Sequence, residues 1–155
     1  MTPEQRLAQL GLTLPAVAPP RGTFDAWVLD GSTLYLSGKG WPMRADMALV
    51  PKVGREISAG EARAHAQEVG LNLIATMKEA LGELSRVRRV VKVLGMVNAV
   101  PDFMQHTEVI NGCSDLFVQV FGDAGRHARS AVGVGSLPRG FAVEIEAIVS
   151  VKDLA

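Results

Sequence analysis

Apolar residues in the middle of the chain recur at helical spacing. Between Ser58 and Gly82 they follow one another at steps of three and four, on one side of a 3.6-residue period: Ala62, Ala66, Val69, Leu73, Met77 and Leu81. Ser58 and Glu61 have the spacing of a capping box, and Gly82 is a typical residue just beyond a helix end. The pattern predicts a long amphipathic helix between Ser58 and Gly82.

A second helical pattern lies nearer the carboxyl end of the chain and stops near Gly122. Its apolar residues are Val109, Cys113, Leu116, Phe117 and Val120. Near the amino end, Thr2 and Gln5 form another capping-box pair, with Pro3 at the first helical position. The sequence therefore predicts two long helices and a short helical extension within residues 1–15.

Strand patterns occupy much of the remaining chain. The apolar runs 24–29 and 33–37 flank Asp30-Gly31, a strong hairpin signal. Further strands are expected over 87–97, 129–134 and 141–151, with a short extra strand near 48–50. This order of elements predicts an α+β fold, in which a mixed β-sheet carries the two long helices on one face. We expect residues 1–155 to form a single domain, of which 1–15 is the N-terminal extension.

The second face of this sheet is too apolar to meet only water. In the last strand, alternate residues from Phe141 to Val151 are apolar and account for the face under the helices. We assign Val90, Leu94, Met96 and Ile148 to the opposite face. An apolar face that no helix covers favours association with further subunits.

Composition and charge narrow the classes of function. The chain has 155 residues, of which 48% are hydrophobic, and its 16 Lys and Arg balance 16 Asp and Glu. Zero net charge argues against nucleic acid or a membrane surface as partner. The lone cysteine excludes an internal disulfide, and the histidines have no second ligand at metal spacing, so no metal site is expected. No long apolar or signal-like segment is present, and we expect a cytoplasmic protein.

Two charged residues in the last strands are candidates for chemistry. If Val132 and Val134 face the helices, strand alternation turns Arg129 to the opposite face, where Glu144 also points. An arginine fork and a carboxylate on one face could bind an anion and supply an acid–base group. The same pair could equally be an ion pair between subunits that has no chemical role. The pattern alone leaves both interpretations open.

Three motifs resemble a known family. They are the runs ARSAVGVGSLP (128–138), VEIEAI (143–148) and LYLSG (34–38), and the resemblance extends over residues 20–152. They are similar to those of the RidA family, also called YjgF or L-PSP endoribonuclease. The resemblance implies a chorismate-mutase-like fold and a homotrimer with clefts between its subunits. It also implies hydrolysis of enamines and imines such as 2-aminoacrylate to 2-keto acids and ammonia, without metal or organic cofactor.

The resemblance also implies site residues. The family's carboxylate-binding arginine corresponds to Arg129, and the glutamate that positions the attacking water corresponds to Glu144. The pocket serine and glycine match Ser37 and Gly38, and the asparagine of the second helix matches Asn111. The expected ligand is therefore a small molecule that bears a carboxylate.

Two positions depart from the family pattern. Phe24 stands where the family has a pocket tyrosine, and Ala131 replaces a pocket cysteine. Both changes make the expected pocket less polar. They support an alternative function, a trimer that binds or senses small carboxylates without turning them over. A third possibility, RNA cleavage, follows from the family's other name, but zero net charge and the lack of a paired-histidine signature argue against it.

Overall fold

The computed structural model describes residues 1–43 and 48–153. Short 3-10 turns lie at 84–86, 122–125 and 138–140. The helices and strands follow one another along the chain as α1 (Pro3–Gln9), β1 (Trp27–Asp30), β2 (Thr33–Trp41), α2 (Ala59–Leu81), β3 (Val87–Asn98), α3 (His106–Phe121), β4 (Ala128–Val134) and β5 (Val143–Val151).

Both predicted capping boxes are present. At the start of α2 the Ser58 hydroxyl accepts a hydrogen bond from the Glu61 amide at 3.1 Å, and the Glu61 carboxylate accepts one from the Ser58 amide at 2.8 Å. Gly82 follows the last residue of α2 with φ 81, a conformation that favours glycine. The corresponding pair on α1 is Thr2 and Gln5. These local interactions explain why the helix ends could be predicted from sequence.

Five strands of the described residues form one mixed sheet in the order β1-β2-β5-β3-β4. Only β3 and β4 pair in parallel, and the other neighbours are antiparallel. Helix α2 packs over β2 and β5, and α3 packs over β3 and β4 and against α2. The α+β fold with two long helices on one face of a mixed sheet is therefore confirmed.

Two details of the amino-terminal half differ from the prediction. Asp30 pairs with Thr33, so the hairpin turn is Gly31-Ser32, one residue later than expected. The prediction of an extra strand near 48–50 is wrong, because residues 48 and 49 form a bend and Leu49 is exposed. The chain instead meets the end of β3 at Val53, which forms a single bridge with Ala99.

The side chains of β5 lie on the predicted faces of the sheet, but one residue of β3 lies on the opposite face from the one predicted. Alternate residues of β5 from Val143 to Val151 are buried under the helices. Val90 was expected on the open face of the sheet and is instead completely buried. The pairing of β3 with β5 is irregular between Val90 and Lys92, and such a bulge changes the side to which the following residues point. Leu94 and Met96 are half-buried, as expected for the open face.

The prediction for β4 is wrong in orientation. Val132 is 41% exposed and does not face the helices. The register of β4 with β3 pairs three β4 residues with buried positions: Arg129 with Val93, Ala131 with Gly95, and Gly133 with Val97. Arg129, Ala131 and Gly133 therefore lie on the helix side of the sheet, beneath α3.

Gly112 sets the distance between α2 and α3. A Cβ atom at this position would lie 2.1 Å from the Arg63 carbonyl oxygen of α2, so the two helix backbones would have to separate. We expect Gly112→Ala to lower the free energy of unfolding by about 2 kcal/mol, measured by urea denaturation. Gly60→Ala is the matched control in α2, because its nearest neighbouring atom is 3.9 Å away, and it should be neutral or stabilising. A Gly112→Ala variant as stable as Gly60→Ala would contradict this packing account.

Candidate functional site

Arg129 is held in place by α3. Its Nη1 donates to Asn111 Oδ1 at 2.9 Å and to Ser114 Oγ at 3.0 Å. Asn111 and Ser114 are one turn apart on the helix, so both reach the same side of the β4 strand below. These two bonds use both hydrogens of Nη1 and fix the guanidinium plane, which leaves Nη2 and Nε as donors for a ligand. Paired N–H groups of this kind suit a carboxylate.

His127 extends the arrangement by one more hydrogen bond. Its Nε2 lies 2.9 Å from Ser114 Oγ, and its Nδ1 lies 2.6 Å from the Gly125 carbonyl oxygen. A carbonyl oxygen only accepts, so we place a proton on Nδ1. In the neutral ring Nε2 is then an acceptor for the Ser114 hydroxyl. Burial is the largest influence on the pKa of His127 and lowers it, the Gly125 hydrogen bond opposes this, and the Arg129 charge lowers the pKa further.

An open cavity of about 240 Å³ adjoins these groups. Its lining residues are Ser114, Asp115, Val118, Arg126, His127 and Arg129. A second depression of about 370 Å³ includes Arg89 and shares Arg126 and His127 with the first. The Arg129 guanidinium is therefore beside a space large enough for a small organic acid.

Glu144 forms a second group of candidate residues with Gly38 and Ser37. A Cβ atom on Gly38 would lie 3.2 Å from Glu144 Cδ, so glycine leaves room for the carboxyl group. The Ser37 hydroxyl donates to the Asp25 carbonyl oxygen at 2.6 Å, which ties the segment before β1 to β2. Burial, followed by the negative charge of Glu146, raises the pKa of Glu144 above its usual range. A carboxylate with a raised pKa is better suited to accept a proton near neutral pH.

The two departures from the family pattern have different environments. Phe24 precedes β1 and is 55% exposed, with its ring against the position of Gly22. Ala131 is half-buried, packs against the hydrophobic core, and lies on the same side of β4 as Arg129. Ala131 is thus beside the Arg129 group, whereas Phe24 belongs to the segment that Ser37 holds.

Arg129 and Glu144 do not share a face of the sheet, which corrects the expectation from strand alternation. Arg129 pairs with Val93 on the helix side, and Glu144 pairs with Met96 on the open side. Strand β3 separates them, and along it the two positions are three residues apart. Their backbones are therefore roughly 10 Å apart across the strands and roughly 10 Å apart along them. Within one chain they belong to two separate groups of candidate residues, which we call the Arg129 half-site and the Glu144 half-site.

Other candidate groups have simpler roles. Cys113 is a buried residue of α3, and burial raises its pKa well above the usual range for a thiol. Among residues 1–43 and 48–153, no three His, Cys, Asp or Glu side chains lie together as a metal-binding group. Over the same residues, none of the helices has both the length and the apolar character that crossing a bilayer requires.

Sequence reasoning missed Ser114 and His127 as site residues. Neither residue belongs to the motifs that predict the site. The signal was in the spacing, because Ser114 is three residues after Asn111 on a helix and His127 is two residues before Arg129 on the approach to a strand. Either interval places a residue on the same side of its element as a residue that had already been chosen.

Comparisons with known proteins agree with the fold and with the family that the sequence motifs resemble. Residues 4–141 match the family model described as "YjgF/chorismate_mutase-like, putative endoribonuclease". Protein TCP17 of Trypanosoma cruzi is 40% identical over 148 residues, which cover 95% of this chain and 92% of that protein. The 2-iminobutanoate/2-iminopropanoate deaminase of Dermatophagoides farinae is 32% identical over 142 residues, covering 91% and 95%.

A solved structure extends the comparison to three dimensions. The crystal structure of a "putative endoribonuclease" from Shewanella oneidensis superposes with a TM-score of 0.90 at 30% identity, covering 97% of this chain and 100% of the other. The match of the family model spans most of the sequence, and the fold agrees over nearly the whole chain. The chain therefore belongs to the YjgF/chorismate-mutase-like, or RidA, family.

Proposed function

We propose that this protein hydrolyses reactive enamines and imines of the 2-aminoacrylate type to 2-keto acids and ammonia. The observation that carries the proposal is the Arg129 guanidinium, which is anchored by Asn111 and Ser114 beside an open cavity. The relative from Dermatophagoides farinae, which is 32% identical over 142 residues, is named as an imine deaminase and supports the proposal. The substrate carboxylate binds Arg129, and Glu144 positions the attacking water.

For this reaction the protein needs to do little more than position the substrate and the attacking water. An enamine such as 2-aminoacrylate tautomerises to an imine, whose carbon is already electrophilic once the nitrogen is protonated. Glu144 accepts a proton from water as the water oxygen bonds to that carbon, and the proton then passes to nitrogen. The carbon–nitrogen bond then breaks and ammonia leaves, while the hydroxyl of the intermediate gives its proton to Glu144, and the 2-keto acid remains. Holding the carboxylate in one orientation supplies much of the rate gain, because it removes motions that would otherwise have to be frozen in the transition state.

A complete cleft on this proposal needs a second subunit. The two half-sites lie on opposite faces of one sheet, so Glu144 must come from a neighbour of the chain that supplies Arg129. The open face of the sheet also carries apolar side chains in an exposed row, in which Val28 is 50% and Tyr35 46% exposed. Ile148 continues this row on the next strand. We propose a homotrimer in which the open faces pack together around a threefold axis.

A direct assay tests the activity. A pyridoxal-phosphate dehydratase acting on serine generates 2-aminoacrylate, and keto-acid release is followed with and without the protein. Acceleration supports the deaminase. The alternative, a trimer that only binds carboxylates, is supported by the less polar pocket at Phe24 and Ala131. For that function a thermal-shift screen would show stabilisation by small carboxylates, and no imine would be turned over faster.

The pH dependence of the rate should report the raised pKa of Glu144. Only the ionised carboxylate accepts a proton, so kcat should fall as pH decreases through that raised pKa. Glu146→Gln removes the neighbouring negative charge, and we expect it to move this acid limb to lower pH with little change in the plateau rate. A steady-state pH–rate profile of the two proteins is the measurement. An acid limb at the same pH in Glu146→Gln would assign the limb to another group.

A further inference from the structure

Ser114 and His127 connect Arg129 to the backbone through one chain of hydrogen bonds. Arg129 donates to Ser114 Oγ at 3.0 Å, Ser114 Oγ lies 2.9 Å from His127 Nε2, and His127 Nδ1 is held by the Gly125 carbonyl at 2.6 Å. All three side chains line the cavity beside the guanidinium. Neither Ser114 nor His127 belongs to the motifs that assigned the site. Both residues lie beside the Nη2 and Nε donors of Arg129, where they could contact a ligand bound to the guanidinium.

The protonation state of His127 decides where the Ser114 hydroxyl points. With a neutral ring, Nε2 is an acceptor and takes the only hydrogen of that hydroxyl. With a charged ring, Nε2 donates to Ser114 Oγ, which already accepts from Arg129. The hydroxyl hydrogen must then turn to a different acceptor. An anion in the cavity that binds Arg129 would provide one.

We propose that Ser114 and His127 are part of the anion site and that the site takes up a small carboxylate together with one proton on His127. The inference rests on the carboxylate-binding half of the proposed function and not on turnover. It makes Ser114 a ligand-binding residue and His127 a positioning residue that acts through it.

The charges around His127 favour this coupling. The charged groups lining the two cavities that contain His127 are Asp115 on α3, Arg89 on β3, Arg129 on β4, and Arg126 in the connection between α3 and β4. Both nearby carboxylates are already paired, Asp115 with Arg63 at 2.6 Å and Asp123 with Arg126 at 3.8 Å. The charge of Arg129 therefore opposes a proton on His127 in the empty site. A bound carboxylate offsets that charge, so ligand and proton should each strengthen the binding of the other.

Calorimetric titration of the whole protein with pyruvate tests the proposal. Pyruvate stays ionised from pH 5.5 to 8, so a change of affinity over this range belongs to the protein. We expect about tenfold tighter binding at the acid end, as for a pKa rise of one unit on binding. Repeating the titration in buffers of different ionisation enthalpy should show proton uptake. His127→Gln retains a hydrogen-bond acceptor for Ser114 but does not titrate, and it should bind pyruvate with nearly constant affinity.

Further variants separate His127 from other titrating groups. Glu144 also has a raised pKa, so the series is repeated in Glu144→Gln, where the pH dependence should persist. His65→Gln on α2 is the matched control and should keep the wild-type profile. Ser114→Ala should weaken binding chiefly at acid pH, because only there does the hydroxyl donate to the ligand. A purely structural role for His127 would change affinity equally at every pH.

Each outcome bears on one claim. Absence of pyruvate binding, pH-independent affinity in the wild type, or an unchanged pH profile in His127→Gln would overturn the proton-coupled site. Proton-coupled binding of pyruvate without acceleration of keto-acid release would support the proton-coupled site and refute the deaminase. Acceleration of keto-acid release together with pH-independent pyruvate binding would support the deaminase and refute the proton-coupled site.

Discussion

Arg129→Ala should lower kcat/KM for keto-acid release from 2-aminoacrylate by about 10²–10³-fold, the loss expected when one partner of a charge-assisted, bidentate contact is removed. The substitution deletes the guanidinium that is proposed to bind the substrate carboxylate, so the substrate would lose both affinity and orientation. The coupled dehydratase assay at several imine fluxes provides the measurement. Arg129→Lys keeps the charge but not the planar fork, and should have an intermediate effect.

The matched control for this substitution is Arg88→Ala. Arg88 is exposed on β3 and borders a separate depression beneath α1, lined by Arg6 and Lys152 among others. Its removal changes net charge by the same amount and should leave kcat/KM within a factor of about two, because exposed charges contribute little at a distance. Circular dichroism should show that both variants remain folded. Full activity in Arg129→Ala would place carboxylate binding elsewhere.

Mixing two inactive variants should restore activity. Arg129→Ala lacks one half-site and Glu144→Gln lacks the other, so a cleft formed between them can contain both native residues. Random assembly of equal amounts leaves one intact cleft in each mixed trimer, which amounts to about a quarter of the wild-type activity overall. The variants are co-refolded or co-expressed with different tags, mixed trimers are isolated by tandem affinity, and their rate is measured. The expected mass of each assembly is near three times 16.5 kDa.

Leu94→Asp introduced into both variants is the control for assembly. Leu94 is half-buried on the open face of the sheet, and a charge there should prevent the faces from packing. Rescue should then disappear together with the trimer. If verified mixed trimers show no activity above that of the separate variants, the two half-sites do not meet across a subunit boundary.

The helices and the last strand could be predicted because their determinants are local. A capping box needs only Ser58 and Glu61, and the alternation along β5 follows from residues that all contact the same core. The sequence could not show which face of β4 points to the helices, because both faces carry apolar or small residues. Ile110 of α3 lies over Gly95, and His106 lies over Gly133. The space under α3 is therefore narrow and admits Ala131 and Gly133, while the larger valines turn outward.

The error over β4 is also the reason the site was first placed on one face. With Val132 assigned inward, strand alternation puts Arg129 on the same face as Glu144. The actual register with β3 turns Arg129 toward Asn111, so the predicted grouping of Arg129 with Glu144 on one face is wrong. A bulge such as that near Val90 has no local sequence signature either, since it depends on how two strands pair.

The burial of Cys113 has a practical consequence for spectroscopy. It is the sole thiol of the chain, and its raised pKa and complete burial make it slow to alkylate in the native state. A cysteine placed at the highly exposed Met104, just before α3, would thus react first with a fluorophore or spin label, with no need to remove the native thiol. The slow rate at which Cys113 itself is labelled would then report local opening of α3. This is the helix that holds Asn111 and Ser114 over the guanidinium.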